Sequence, residues 1–155
     1  MNNSDVIIIG AGPAGLTCAA SMGAQGLNAT VLEKENTVGS VWRRHYDRLH
    51  LHTDRSHSGL PGMAMPRTYP TYPSRAQVVE YLESYAAHFR VQPVFNTTVS
   101  KIARNGSQWI ADTNKDAISA PVVVIATGWA DFPLSPLLAG LRHVPGDSHS
   151  QQRIS

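Results

Sequence analysis

Three glycines, Gly10, Gly12 and Gly15, stand in the pattern G-x-G-x-x-G directly after the β-branched run Val6, Ile7, Ile8 and Ile9. Glu33 follows at the end of a second apolar run, at the ~20-residue distance that a dinucleotide fingerprint requires. Each residue type has a job in holding a pyrophosphate. Gly10 allows a tight turn, Gly12 lets the backbone approach the phosphates, and Gly15 lets a helix pack closely on a strand. Pro13 and Ala14 open that helix, whose free N–H groups and positive dipole end favour an anion. Glu33, with Lys34 beside it at the same site, is expected to accept hydrogen bonds from ribose hydroxyls. A carboxylate there repels a 2′-phosphate, so the pattern suits FAD or NAD rather than NADP and does not choose between them. The plain alternative is a glycine-rich turn that only lets a helix pack tightly.

The elements that must position these residues can be read around them. Val6 to Ile9 is expected to be a strand buried on both faces, hence central in a parallel sheet. A helix with Pro13 first runs on over residues 14–25 and stops at Gly26, and a strand resumes over 28–32. This is one βαβ unit. Residues 36–73 carry no sustained period and are expected to form a long connection. Arginines 43, 44, 48, 55, 67 and 75 crowd it and its edge, and either steer an anionic cofactor or form a solvated basic loop. Ser74 and Gln77 have capping-box spacing. The stripe Val78, Leu82, Tyr85 and Phe89 then predicts a helix lying against the sheet, with Pro93 ending it.

Strands are expected over 94–103 and 107–112, joined through Asn105 and Gly106, a hairpin turn signal because both residues tolerate positive φ. A third strand over 117–125, central and buried, runs into Ala126, Thr127 and Gly128. The fold class is therefore α/β: a Rossmann-like domain with a central parallel sheet, an antiparallel β-meander and an inserted helix.

Composition narrows the partners. The 155 residues are 42% hydrophobic and only 15% charged, where about 25% is usual, which excludes a disordered chain and a charge-laced coiled coil. A net charge of +2 without a Lys/Arg run argues against nucleic acid. The apolar start is interrupted by glycines and too short to span a bilayer, so no targeting segment and no membrane partner are expected. The single Cys18 fits a reducing compartment, and a cytoplasmic location is expected. Cys18 itself reads as a small buried residue rather than a redox thiol. Histidines 45, 50, 52 and 57 lack the carboxylate or thiol pattern of a metal site, so no metal is expected.

The stretch from Gly10 to Glu33, then Val38-Gly39-Ser40-Val41-Trp42, Tyr46 to His52, Tyr72-Pro73, Tyr81 to Ala86, Val94 to Val99 and Val123 to Gly128 resembles the flavin-containing monooxygenases, most of all their YUCCA-type branch. The resemblance covers residues 5–135 and implies FAD as cofactor. It places Gly10, Gly12, Pro13, Ala14 and Gly15 at the FAD pyrophosphate and Glu33 at the adenosine ribose. It sets Gly39, Ser40 and Trp42 along the cofactor, although the family usually has a second glycine where this chain has Ser40. It also implies that the backbone at Val99 meets the adenine, that Ala126, Thr127 and Gly128 close over the pyrophosphate side, and that His52 and Thr53 approach the flavin ring. In the family NADPH reduces the flavin, and a C4a-(hydro)peroxyflavin oxygenates a small-molecule substrate. The cofactor carries that chemistry, and no catalytic side chain is singled out.

The resemblance also has gaps. The second glycine fingerprint, for NADPH, is absent from the 155 residues, as is the later segment that completes the FAD fold over the flavin. Relatives carry F-x-G-x-x-x-H-S where this chain has Val144-Pro145-Gly146-Asp147-Ser148-His149-Ser150. The expected organisation is a FAD-binding domain over 1–135, with an inserted loop and helix at 36–90, and an irregular tail over 136–155. The expected function is the FAD-binding portion of an NADPH-dependent flavin monooxygenase, truncated and inactive alone. The alternatives are a non-catalytic nucleotide-binding module or decayed gene product and, behind it, a small NAD-dependent dehydrogenase.

Overall fold

A computed structural model describes residues 4–128. The expected tail over 136–155 and the segment Val144 to Ser150 lie outside the described residues.

β1 (Val6–Ile9) is flanked by β2 (Ala29–Leu32) and β6 (Val122–Ile125) in a parallel sheet of order β2-β1-β6. β-branched residues suit such a strand because both of its faces pack. Val6 and Ile8 point into a core shared with α1 (Pro13–Ala24) and α3 (Arg75–His88). Ile7 and Ile9 point into a second core with Ala111 and Ala120 of an antiparallel meander, β3 (Val99–Asn105), β4 (Gln108–Thr113) and β5 (Ile118–Ala120). The result is three layers: helices, parallel sheet, meander. Ile7 and Ile8 have no exposed surface, and side chains of this size contribute about 1.5–3 kcal/mol each when fully buried.

α1 begins at Pro13 as expected, and Gly26 follows it with φ +76°. α3 carries the full capping box: Ser74 accepts the Gln77 N–H, and the Gln77 side chain accepts the Ser74 N–H at 2.9 Å. Val78, Leu82 and Tyr85 are buried, as the stripe requires. Their helix has α1 and α2 (Ser40–Arg44) as its main neighbours. It joins the core that contains Val6, Ile8 and Val31, rather than lying on the sheet alone.

Four expectations need correction. The strand expected over 117–125 is two strands, broken at Pro121, which has no N–H to give a ladder and marks the crossing from the meander to the parallel sheet. β6 is not central among the described residues. It pairs with β1 alone, and Val122 and Ile125 are 46% and 68% exposed. The strand expected over 94–103 is also split. Val94 forms a single parallel bridge to Leu32, Asn96 turns the chain at φ +53°, and β3 starts only at Val99. Finally, Asn105 is the last paired residue of β3, opposite Gln108, so the hairpin loop is Gly106-Ser107 and only Gly106 has positive φ.

The connection over 36–73 is held in place. It contains α2, and α3 braces the rest. The Tyr81 hydroxyl accepts the Leu60 N–H at 2.7 Å and donates to the Met63 carbonyl, and the Tyr85 hydroxyl donates to the Pro61 carbonyl at 2.8 Å. Burial pushes the Tyr81 phenol above its ordinary pKa, so it remains a donor. The Tyr69 hydroxyl is likewise pushed up to about 12, by burial and by Glu80.

Two glycines of α1 should respond in opposite senses to alanine. A Cβ on Gly15 would lie 1.9 Å from the Gly10 carbonyl oxygen, whereas one on Gly23 would meet nothing within 4 Å. Gly15→Ala is expected to destabilise by at least the ~1–3 kcal/mol of an overpacked site, and Gly23→Ala to stabilise by about 0.4–1 kcal/mol. Denaturant unfolding of both variants checks this, and equal midpoints would refute the packing assigned to Gly15.

Candidate functional site

A cavity of about 650 Å³ opens at the C-terminal ends of β1, β2 and β6, where open α/β sheets bind ligands. It is lined by residues 9–14, 32–34, 39–42, 97–99 and 125–128. Thus Gly10, Gly12, Pro13, Ala14, Glu33, Lys34, Gly39, Ser40, Trp42, Val99, Ala126, Thr127 and Gly128 come together around one space.

The three fingerprint glycines are required for different reasons. Gly10 has φ +106°, and a Cβ there would stand 2.5 Å from the Ala126 carbonyl oxygen, so the fold itself demands glycine. Gly15 does not line the cavity; it sits under the turn, against Gly10. Gly12 has an ordinary φ of −76°, and its Cβ would meet no protein atom within 4 Å. Nothing in the described chain needs glycine at position 12. The space it leaves belongs to the cavity.

Gly12 also caps α1. No side chain caps that end and no acidic residue lies in the first turn, and the Leu16 N–H to Gly12 carbonyl bond at 3.0 Å closes the first turn. The positive end of the helix dipole therefore meets the cavity with no side-chain cap and no acidic residue in its first turn.

Glu33 is buried and makes four hydrogen bonds. Its Oε2 accepts the Ala11 N–H at 2.7 Å and its Oε1 accepts the Glu35 N–H at 3.0 Å. Its own N–H donates to the Val94 carbonyl at 3.1 Å, and its carbonyl accepts the Thr97 N–H at 2.8 Å. A carboxylate offers about four acceptor positions, so two remain for hydroxyls of a ligand.

The remaining walls come from α2 and from the strip before β3. Trp42 both lines the cavity and packs on the helical core, with its ring edge-on to His45 at 5.8 Å. Val41, in the segment expected along the cofactor, lines the cavity too; Ile9, Ala11, Leu32, Thr97, Thr98 and Ile125 also line it, and sequence reasoning gave them no site role. Their places follow from strand ends and from the turn at Asn96, which no local pattern reveals.

His52 and Thr53 are not brought to this cavity. His52 borders a separate shallow hollow with His50, Leu51 and Tyr72, and Thr53 Oγ1 lies 2.7 Å from Ser58 Oγ. The Leu51 N–H to Pro73 and Arg55 N–H to Thr71 carbonyl bonds, at 2.9 and 2.8 Å, fix this stretch against residues 71–73 instead. The arginines also point elsewhere. Arg43 pairs with Glu83, Arg44 with Glu35 and Arg75 with Asp47, while Arg55 donates to the Tyr69 carbonyl. No arginine among the described residues lines the cavity; these side chains brace the connection. Cys18 is half-buried on α1 beside the core.

Among the described residues, Glu33 and Lys34 are the only ionisable side chains on the walls, and no nucleophile with a partner base stands there. The arrangement can grip a sugar and a diphosphate, and any further chemistry must come from what is bound.

Comparison with known proteins agrees with this geometry. The family model described as pyridine nucleotide-disulphide oxidoreductase matches residues 7–153. The chain is 40% identical over 144 residues to indole-3-pyruvate monooxygenase YUCCA1 of Oryza sativa subsp. japonica, covering 90% of this chain and 36% of that protein. It is 38% identical over 143 residues to probable indole-3-pyruvate monooxygenase YUCCA4 of Arabidopsis thaliana, covering 90% and 35%. Among solved structures, the flavin-containing monooxygenase from Stenotrophomonas maltophilia superposes with a TM-score of 0.76 at 29% identity, over 83% of this chain and 39% of that one. The chain thus spans about a third of the length of the curated relatives it matches.

The double use of the Glu33 carboxylate makes a prediction about the ligand-free protein. Glu33→Gln sets an amide N–H against the N–H of Ala11 or Glu35 and leaves one of them unpaired. A loss of about 1–3 kcal/mol is expected, read from denaturant unfolding without nucleotide. An unchanged midpoint would show that the carboxylate does not hold the turn.

Proposed function

The chain belongs to the pyridine nucleotide-disulphide oxidoreductase family, and on that premise we propose that its cavity is the FAD site of a flavin-dependent monooxygenase. The observation that carries this reading is the unfilled space in front of Gly12, bounded by the bare end of α1 on one side and the Glu33 carboxylate on the other. Its size falls within the ~300–1,000 Å³ of small-molecule and cofactor sites.

The residues fit the parts of the cofactor. The Gly10 to Ala14 turn and Ala126 to Gly128 hold the pyrophosphate. Glu33 takes the ribose hydroxyls with its two remaining acceptor positions. The backbone of Val99, with Thr97 and Thr98 beside it, meets the adenine, and Gly39, Ser40 and Trp42 run along the cofactor. Lys34 stands at the rim. The acid at position 33 disfavours a 2′-phosphate, which leaves NADPH to another site, and the likeness to flavin monooxygenases favours FAD over NAD for this cavity.

Bound FAD supplies the redox chemistry, taking reducing equivalents from NADPH and activating dioxygen. The part played by these residues is to grip, orient and exclude water. The whole enzyme of this reading oxygenates a small molecule, and the names of its relatives point to a 2-oxo acid. In this reading FAD is bound by the domain over 1–135, and NADPH has no part in this cavity. The single cysteine suits a cytoplasmic setting. No helix among the described residues is long and apolar enough to cross a membrane.

Purified protein is expected to bind added FAD weakly, seen as a change in flavin absorption or fluorescence on titration, and to show no flavin-dependent NADPH oxidation. Gly12→Ala is the sharper test. Its methyl group enters only the cavity, so stability should change by no more than the ~1 kcal/mol of a poorer helix cap, while FAD affinity falls at least tenfold. A Gly12→Ala protein that binds FAD as well as the parent would remove the cofactor from this cavity.

A further inference from the structure

Asn114 begins the turn between β4 and β5 and does not line the cavity. It nevertheless makes three hydrogen bonds to the strip that does. Its Oδ1 accepts the Thr98 N–H at 2.9 Å, its backbone N–H donates to the Thr98 carbonyl at 3.1 Å, and its Nδ2 donates to the Asn96 carbonyl at 3.2 Å. The neighbouring Lys115 Nζ donates to the Phe95 carbonyl at 2.9 Å.

The strip needs these bonds. Residues 95–98 lie outside any strand, Asn96 holds a left-handed φ of +53°, and ladder pairing with β4 begins only at Val99 opposite Thr113. On its other side the strip hangs from β2: the Asn96 N–H reaches the Glu35 carbonyl at 2.9 Å and the Thr97 N–H reaches the Glu33 carbonyl at 2.8 Å. The bonds therefore alternate. Asn96 and Thr97 give their N–H groups to the Glu35 and Glu33 carbonyls, and Thr98, with the Asn96 carbonyl, turns to Asn114. A side-chain amide carries one acceptor and a donor pair, so Asn114 replaces the neighbouring strand that the strip lacks.

We propose that Asn114 is a positioning residue that sets the backbone of Thr98 and Val99 relative to Glu33 and thereby makes the site selective for adenine among purine bases. This rests on the reading above, in which the Val99 backbone meets the adenine. Adenine and hypoxanthine differ in donor and acceptor at the 6-position and at N1. A backbone edge fixed in one register distinguishes them, because the wrong base leaves polar groups unpaired. An edge free to shift accommodates either.

The test compares ADP with IDP on the full chain by calorimetry. The unmodified protein is expected to bind ADP at least tenfold more tightly than IDP. In Asn114→Ala the ADP affinity should fall about tenfold while IDP changes little, so the ratio approaches one. Asn114→Asp keeps the acceptor for the Thr98 N–H and loses the donor to the Asn96 carbonyl, and should lie between. It also serves if the alanine variant does not fold. Amide exchange at Thr98 in the ligand-free protein should speed up in Asn114→Ala, which removes the acceptor. Equal losses for both nucleotides, a ratio that the variants preserve, or unchanged Thr98 exchange would overturn the role of Asn114. An unmodified protein that binds ADP without preference over IDP would overturn it too. Failure of the unmodified protein to bind either ADP or FAD is a different result, which removes the cofactor reading and this inference with it.

Discussion

The bond from the Ala11 N–H to the Glu33 carboxylate fixes the geometry of the site. It joins the turn after β1 to the end of β2, two points that the parallel register already places side by side, with Ile9 opposite Leu32. Neither the turn nor the strand end can then move alone. Because the main-chain groups of Glu33 are bonded to Val94 and Thr97, the same residue also anchors the strip that forms the next wall. Burial strengthens the effect: a carboxylate taken from water without donors is costly, and here each oxygen has a backbone N–H. The residue read from sequence as a ribose ligand is thus a structural joint first. Its capacity for a ligand is what remains after the joint is made.

The opposite wall depends on a different constraint. β6 follows Pro121 out of the meander and pairs with β1, and the Ala126 N–H continues that pairing to the Ile9 carbonyl at 2.8 Å. This brings the Ala126 carbonyl so close to Gly10 that no side chain fits between them. The cavity therefore lies between two backbone segments locked to β1 by ladder hydrogen bonds, and its width is fixed by strand spacing rather than by side-chain packing.

What was legible in the sequence was local. Pro13 and Gly26 bound α1, Ser74 and Gln77 cap α3, and the apolar run over 6–9 marks a strand with both faces covered, because each of these signals acts within a few residues. The fingerprint with Glu33 was legible as well, since the βαβ unit brings its parts together within a short span. What was hidden depends on which chain segment lies alongside. The Val122 to Ile125 run reads as buried from its composition, yet burial needs a neighbour on each side, and among the described residues β6 has one. His52 and Thr53 could be placed only by resemblance, and pairing with residues 71–73 holds their stretch elsewhere, with His52 at another hollow. Asn105 seemed to belong to a turn and instead ends a strand, because the register with Gln108 puts Gly106 and Ser107 in the loop.

The wall made by α2 follows from how weakly a five-residue helix holds itself. Nucleating so short a helix is unfavourable, and α2 has no buried residue of its own. Its place is set from outside. Arg43 reaches Glu83 on α3, Arg44 reaches Glu35 after β2, and Arg75 donates to the carbonyls of Arg43 and His45 at its C-terminal end. Exposed ion pairs of this kind contribute about 0–1 kcal/mol each and weaken with salt. The cavity thus has two walls fixed by backbone ladders and one held by several small, separable contacts. That asymmetry accounts for Arg43, Arg44 and Arg75, which hold Ser40 to Trp42 at the edge of the cavity.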